Sequence, residues 1–506
     1  MTARPETLPD SSAVRPATAG SPGMGSHYLR YSGSTVLVMA AGLISFPALT
    51  RLLDNTQYGI LGYYETWLMI VVAIIKLGGQ HAILRLYPYG GTQSQLVHFA
   101  TNLVLLPMLV SMGLWLVALA GIAAASAWGG LHVSPVFWCA VVMLPLLVFN
   151  SQVEMTLRAS ERSGLLAVSQ VSSRWLELIL ILGFVVAVQR SALAVYAGKI
   201  AVAVILVAFY LRWVRRHLVF SRSALDLPAY RASLRYSLPL VANEMAGAAL
   251  VSIDRVMLKG ILDDYSAVGI YTIGCALAVQ IWMIMNQPLW GAFNPVANRT
   301  HETEGPARVR ALKSRVLVPA TYASIGIGAA IWLVGADLLE MLTGPTKVAS
   351  APVFVWLGTM FALLPVLDVG GYGLLLQKRT MTVLILTTAA AILNIMLNLL
   401  WIPIHGVMGS VYATLVAYVL LSVGRCVLCP RELFQLPDSR TLVVAGVAAS
   451  LFALVVHVTG LFGLDVPWMR VAAGGGLWAG CYAVPALLLD ARLRQLVFHW
   501  RTTRVV

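Results

Sequence analysis

Runs of apolar residues long enough to cross a hydrocarbon core about 30 Å thick recur from one end of this chain to the other. In lipid no water is left to satisfy an open backbone, so each run must be a helix or a strand of a closed barrel. Barrel strands are short and alternate in polarity, whereas these runs are long and unbroken. The chain therefore reads as all-α, a polytopic membrane protein. Of its 506 residues 59% are hydrophobic and 11% charged, with a mean hydropathy of +0.81. That is too little charge to cover the surface of a soluble domain of this size.

About fourteen spans are expected, near residues 31–50, 58–83, 98–124, 133–157, 164–188, 191–211, 234–257, 266–297, 316–336, 350–376, 380–402, 405–426, 441–459 and 467–489. The net charge is +14, and its placement alternates. Arg212, Arg215, Arg216, Arg222, Arg231 and Arg235 follow the sixth span, and Arg299, Arg308, Arg310, Lys313 and Arg315 follow the eighth. The opposite connections hold only Arg51, Arg190, Lys259, Lys347 and Arg470. The positive-inside rule makes the first side cytoplasmic, with both termini inside. Charge placed in this way serves topology and anionic lipid, not nucleic acid.

The opposite connections are short, which argues against a glycan polymerase or ligase with a catalytic outer loop. No Gly-rich phosphate loop is present, and no enzyme activity is expected. Cys426 and Cys429 form a lone CxxC without the second ligand pair that a zinc site needs, so no metal or other cofactor is expected. Residues 1–27, rich in Pro, Ser, Ala, Thr and Gly, read as part of a disordered tail without signal-peptide features.

Leu53-Asp54 through Tyr58-Gly59-Ile60 is echoed by Leu262-Asp263 through Val268-Gly269-Ile270, and Val195-Tyr196-Ala197 by Val411-Tyr412-Ala413. The offsets are similar, 209 at the aspartate, 210 at the glycine and 216 at the second echo, as if one residue were inserted between Asp and Gly. Two six-helix halves in parallel orientation follow, a transporter design with the substrate site between the halves. The expected organisation is a tail over 1–30, an N-lobe over 31–214, a basic linker over 215–233, a C-lobe over 234–428, two further helices over 441–489 and a basic tail over 490–506.

Ten charges lie inside the expected spans: Lys76, Arg174, Lys199, Arg255, Glu65, Glu154, Glu177, Glu244, Asp254 and Asp368. A charge at mid-bilayer costs roughly 2.5–3.5 kcal/mol on insertion scales, so such groups face a bundle interior or a wet cavity. Helical spacing puts Ser169, Gln170, Ser173, Arg174 and Glu177 on one face of span five, and Asn243, Glu244, Asp254 and Arg255 on one face of span seven. Span eight aligns Gln280, Gln287 and Asn294, and span two aligns Glu65, Lys76 and Gln80. Arg174 with Glu177, and Glu154 with Arg158, are spaced to neutralise each other, so structural pairing and substrate contact both remain open for them. Lys76 and Lys199 have no acid at helical spacing and need a distant partner or a ligand. Asp254-Arg255 and Glu65 lie near span ends, where interfacial anchoring is equally consistent, and Asp368 sits beside Gly370, Gly371 and Gly373.

The segment Leu393–Tyr418 has Asn394 and Asn398 one turn apart, Ile402-Pro403 closing one helix, and Gly406 with Gly409 opening the next. With Phe46-Pro47, Thr50-Arg51 and Tyr58-Gly59, then Ile253-Asp254-Arg255 before Val268–Tyr271, then Gly344 before Ala351-Pro352, it resembles Wzx-type flippases of the multidrug/oligosaccharidyl-lipid/polysaccharide (MOP) exporter superfamily. The resemblance runs in order over about residues 30–430. It implies a MATE-like V of two parallel six-helix lobes working by alternating access, with two extra C-terminal helices. The implied cargo is an undecaprenyl-pyrophosphate-linked oligosaccharide, and the implied partners are polysaccharide polymerase and export proteins. Lys76, Arg174, Lys199 and Arg255 are then candidate cations for the pyrophosphate. Glu177, Glu244, Asp254, Asp368, Gln280, Gln287 and Asn294 are candidate cavity or coupling groups, with unpaired Glu177, Glu244 or Asp368 passing the driving ion. Drug antiporters of the superfamily often carry an acid in span one, and lipid II flippases carry charges there. Span one here has neither.

Overall fold

The structure, a computed structural model, describes residues 24–129, 134–460 and 463–498. It is built of long helices: α1 Met24–Leu52, α2 Asn55–Ile75, α3 Gln93–Trp128, α4 Pro135–Ala159, α5 Ser163–Ala187, α6 Ala192–His217 and α7 Leu227–Leu262. There follow α8 Tyr265–Glu304, α9 Pro306–Thr343, α10 Ala351–Gly370, α11 Thr380–His405, α12 Val407–Val427, α13 Ser439–Val458 and α14 Pro467–Leu489. No strand occurs among the described residues. Thirteen of the helices are long and apolar enough to cross a membrane. The exception is α7, which is 36 residues long but carries the polar stripe of Asn243, Glu244, Asp254 and Arg255. It is wedged between α11 and α2, where Asp254 is buried and Glu244 and Arg255 half-buried, while Asn243 stays exposed.

Helices α1–α6 pack as one lobe and α7–α12 as the other, while α13 and α14 lie against α9. The small-residue face of α9 receives them. Tyr482 packs on Gly326 and Trp478 donates its indole N–H to the Gly326 carbonyl at 2.9 Å.

The lobes are joined at a backbone seam between α2 and α8. Asp54 caps α2 by accepting the Gln57 N–H at 2.7 Å, and Asp264 caps α8 by accepting those of Ser266 and Ala267 at 2.7 and 3.2 Å. Five residues into each helix stands a glycine, and the two glycines meet. A Cβ on Gly59 would stand 1.8 Å from the Tyr265 carbonyl oxygen, and one on Gly269 1.9 Å from that of Asn55. The duplicated motif therefore faces its own copy across the junction of the lobes. The caps also correct the alignment. Asp54 corresponds to Asp264, so the offset is 210 at both Asp and Gly, and the inserted residue lies ahead of the cap. At the same end Arg51 donates to the last carbonyls of α9, Met341 (2.6 Å) and Leu342 (3.0 Å), and Lys347 reaches Asn55 at 2.8 Å.

Three expectations are corrected. The second span is not one helix, because Leu77 and Gly78 take left-handed φ values of 49° and 72°. This break separates α2, which Lys76 caps, from a short helix, Gly79–Leu86, that carries Gln80, while Glu65 stands about three turns before Lys76 in α2. Helix α1 begins at Met24, so residues 24–30 extend the first span inward with no proline after Pro22 to stop them. The part of the tail expectation over 1–23 lies outside the described residues. The linker is shorter than 215–233, since α6 runs to His217 and α7 starts with Asp226 as cap and Pro228 in its first turn.

That linker is held down. Helix α3 has a π-helical turn at Ala100–Leu105. There the Asn102 amide donates to the Ala224 carbonyl at 2.7 Å and accepts the Asp226 N–H at 2.8 Å. The Thr101 hydroxyl accepts the Ser221 N–H at 3.2 Å. The Asp226 carboxyl is held below its usual range, chiefly by the Ala229 N–H and next by His98 at 3.3 Å.

The seam leads to a direct expectation. Gly59→Ala should destabilise the protein by about 1–3 kcal/mol through overpacking. Gly475→Ala, where nothing lies within 4 Å of the added carbon, should be neutral or stabilise by up to about 1 kcal/mol. Thermal unfolding in detergent checks both, and equal midpoints for the two variants would rule out a tight seam.

Candidate functional site

The N-lobe encloses two connecting cavities of about 330 and 530 Å³. Both are bounded by Arg174 and Glu177 of α5 and Lys199 of α6, with Val38 and Met39 of α1 on one side and Met283 of α8 on the other. Three carboxylates and two cations face this space. Lys199 Nζ bonds Glu65 of α2, and Arg174 holds Glu177 at 3.0 Å. Glu154 of α4, which lines the larger cavity, accepts the Tyr210 hydroxyl at 3.4 Å. Amides of Asn150, Gln170 and Gln287 line the larger cavity and Gln280 the smaller. Of the distant partner or ligand that Lys199 needs, the fold supplies a partner, Glu65. The two are 134 residues apart in sequence, a contact that no single-helix periodicity can show.

Helix α8 is the wall between the lobes. Gln280, Met283 and Gln287 face the N-lobe cavity, while Val279 and Trp282 face a third cavity of about 260 Å³ inside the C-lobe. In that third space Asp368 of α10 pairs with Arg425 of α12 at 3.3 Å. Asn294, expected on the same stripe as Gln280 and Gln287, lines none of these cavities. Its carbonyl accepts the Asn298 amide at 2.9 Å.

The remaining candidates lie elsewhere. Lys76 and Glu244 meet at 3.4 Å where α2 abuts α7. Glu244 also accepts the Gln80 amide at 2.7 Å and has His81 Nε2 at 3.6 Å. This is a contact between lobes, outside the three cavities. None of Glu177, Glu244 and Asp368 is unpaired, contrary to the expectation for ion-coupling acids: Arg174 of the same helix holds Glu177, and tertiary folding brings Lys76 to Glu244 and Arg425 to Asp368. Arg255 sits 5.9 Å from the Tyr271 ring centroid, beside the seam.

Asp254 is fully buried and ties four helices together. It accepts from Tyr271 of α8 at 2.5 Å, Asn398 of α11 at 2.7 Å and Thr414 of α12 at 2.9 Å. Ser410 then donates to Asn398 at 2.7 Å, and Asn394 to Thr414 at 3.3 Å. The signal was visible in sequence as two i, i+4 polar pairs, Asn394 with Asn398 and Ser410 with Thr414. Lys313, assigned to a loop, was missed. It is fully buried and donates to the carbonyls of Gly370 (2.9 Å) and Leu433 (2.7 Å), fastening the end of α10. No group of His, Cys, Asp and Glu side chains among the described residues is arranged to hold a metal ion.

Asn398→Ala strips Asp254 and Ser410 of a buried partner at once. It should lower stability by about 1–3 kcal/mol, read as a depressed unfolding midpoint in detergent. An unchanged midpoint would show that this network contributes nothing to folding.

A family model for polysaccharide biosynthesis protein matches residues 28–301. Comparison with curated proteins gives no match. Among solved structures, the lipid II flippase MurJ in an inward closed conformation superposes with a TM-score of 0.71 at 10% identity, covering 93% of this chain and 100% of that one. An inward-facing multidrug resistance MATE family transporter of the MOP superfamily gives 0.57 at 17% identity, over 79% and 97%. A MOP superfamily transporter from Pyrococcus furiosus, whose binding pocket is described as of reverse polarity, gives 0.52 at 16% identity, over 79% and 94%. These likenesses establish a common fold, and the family match spans more than half of the sequence. The chain therefore belongs to the polysaccharide biosynthesis protein family and has the transporter fold of the MOP superfamily.

Proposed function

We propose that this transporter flips an undecaprenyl-pyrophosphate-linked oligosaccharide from the cytoplasmic to the outer leaflet of a bacterial inner membrane. It would work by alternating access and serve exopolysaccharide or O-antigen assembly. The basic loops would face the cytoplasm, and the polymerase and export machinery would receive the product. The observation that supports this reading is the N-lobe cavity, where a guanidinium and an ammonium stand among amides at the junction of the lobes. Each cation is already held by one carboxylate. A pyrophosphate entering this space exchanges with Glu177 on Arg174 and with Glu65 on Lys199, so binding is also release of a carboxylate. The amides of Gln280 and Gln287 suit sugar hydroxyls. The α1 wall, with Val36, Leu37 and Ile44 exposed, suits a lipid tail that stays in the bilayer.

One feature favours a second reading. Glu154 leaves the cavity with one carboxylate more than its cations balance, a polarity better suited to a cationic small molecule exported by an ion-coupled antiporter. Deletion of the gene separates the two. A flippase defect accumulates lipid-linked repeat units on the inner leaflet. An antiporter defect leaves glycans intact and sensitises cells to cationic dyes.

In proteoliposomes Arg174→Ala and Lys199→Ala should each slow flipping about tenfold, the size of one charge-assisted contact. Arg255→Ala, outside the cavity, should have far less effect. Equal rates for all three variants, each inserted and folded, would remove the cavity from the transport path.

A further inference from the structure

Glu154 stands apart from the other charges of the N-lobe cavity. Of the three carboxylates facing this space, Glu65 holds Lys199 and Glu177 holds Arg174, while Glu154 makes no ion pair among the described residues. The cations that α5 and α6 turn toward the larger cavity are thus already engaged. Arg158, one turn along the same helix as Glu154, is exposed and lies outside the cavity. Helices α1 and α8 present no charge to this space.

The groups that do surround Glu154 are neutral and can serve either state of a carboxyl. The Tyr210 hydroxyl, fully buried, carries one proton and faces two acceptors, Glu154 at 3.4 Å and Ser169 Oγ at 2.9 Å. Ser169 donates its own proton to the Leu166 carbonyl at 2.9 Å, so toward Tyr210 it can only accept. When the Tyr210 proton points to Glu154, it stabilises an ionised carboxylate. When it points to Ser169, the Tyr210 oxygen faces Glu154 as an acceptor, and a carboxyl that carries a proton completes the chain. One turn before Glu154 on the same cavity wall, Asn150 Oδ1 is buried with no donor, a further acceptor open to a proton or a water.

We infer that Glu154 is a proton-binding charge switch that sets which sign of cargo the cavity accepts, an inference that rests on this cavity being the transport site. With Glu154 protonated, two cations stand against two carboxylates, and an entering anion meets no excess negative charge. With Glu154 ionised, the balance turns negative and favours a cation. A pyrophosphate therefore binds together with a proton on Glu154, taken from water, as the Tyr210 hydroxyl turns to Ser169. A cation competes with that proton. Only the O–H bond on Glu154 forms or breaks.

The test is equilibrium binding to the full chain in neutral detergent over a pH titration at fixed ionic strength, with geranylgeranyl pyrophosphate as the anionic probe and tetraphenylphosphonium as the cationic one. Glu154→Gln, which fixes the neutral form, should bind the pyrophosphate about tenfold more tightly than the parent chain at high pH, the size of one unscreened charge. The gain should vanish at low pH, where the parent is protonated too, and titration of the probe itself is common to both chains. Ser169→Ala leaves the Tyr210 proton no acceptor but Glu154, favours the ionised form, and should move the parental profile to lower pH. It keeps the inference testable if Glu154→Gln does not fold. Glu302→Gln, exposed at the inner end of α8, should keep the parental profile. A Glu154-dependent profile for tetraphenylphosphonium alone, with binding rising as pH rises, supports the switch and overturns the pyrophosphate reading instead. Profiles for both probes that neither Glu154→Gln nor Ser169→Ala changes overturn the switch, as does an equal change in Glu302→Gln.

Discussion

The contact between Gly59 and Gly269 sets the relation of everything else in this protein. Two helices whose main chains touch cannot slide or splay at that level, and small residues are what allow such an approach in a membrane, where burial alone gives helices little reason to associate. With α2 fixed against α8, Gln280 and Gln287 are carried to the N-lobe cavity and Trp282 to the C-lobe cavity. One helix becomes the partition between two chambers of different chemistry. The N-lobe chamber holds two ion pairs, Arg174 with Glu177 and Lys199 with Glu65. The C-lobe chamber is apolar apart from Asp368 with Arg425 and a few hydroxyls.

Much of the architecture was legible in the chain because lipid removes most alternatives. Long apolar runs gave the helices, and the repeated Asp and Gly gave the two halves. Even the α7 stripe was readable, although its composition falls short of an ordinary membrane span. The pairing of the charges was not legible. Lys199 with Glu65 and Lys76 with Glu244 are separated by 134 and 168 residues, and each depends on a packing that periodicity within one helix does not encode. Glu65 and Lys76 share α2 but stand about three turns apart, so one expected stripe serves two sites, one in the cavity and one between lobes.

Neutralisation changes how the interior charges should be understood. A bare cation in a low-dielectric cavity attracts any anion strongly and releases it slowly. A cation already paired with a carboxylate offers a smaller net gain, because the incoming group only replaces an existing partner. Such a cavity can admit a charged cargo and let it go at comparable cost. The half-exposed side of the Arg174–Glu177 pair is where this exchange is least hindered. The Asp254 knot, closed on all sides, lies at the other extreme and holds its helices as a unit.

The clamped linker has a mechanical corollary. Asn102 and Thr101 hold the chain between the lobes at one end of the molecule, and the glycine seam holds α2 to α8 at the other. Two pivots at opposite ends define a line, and a body pinned on a line keeps one rotation and loses the rest. The lobes then behave less like jaws on a loose tether than like a door on two hinges. The Glu244 contacts with Lys76 and Gln80 lie between those hinges, in the position of a latch.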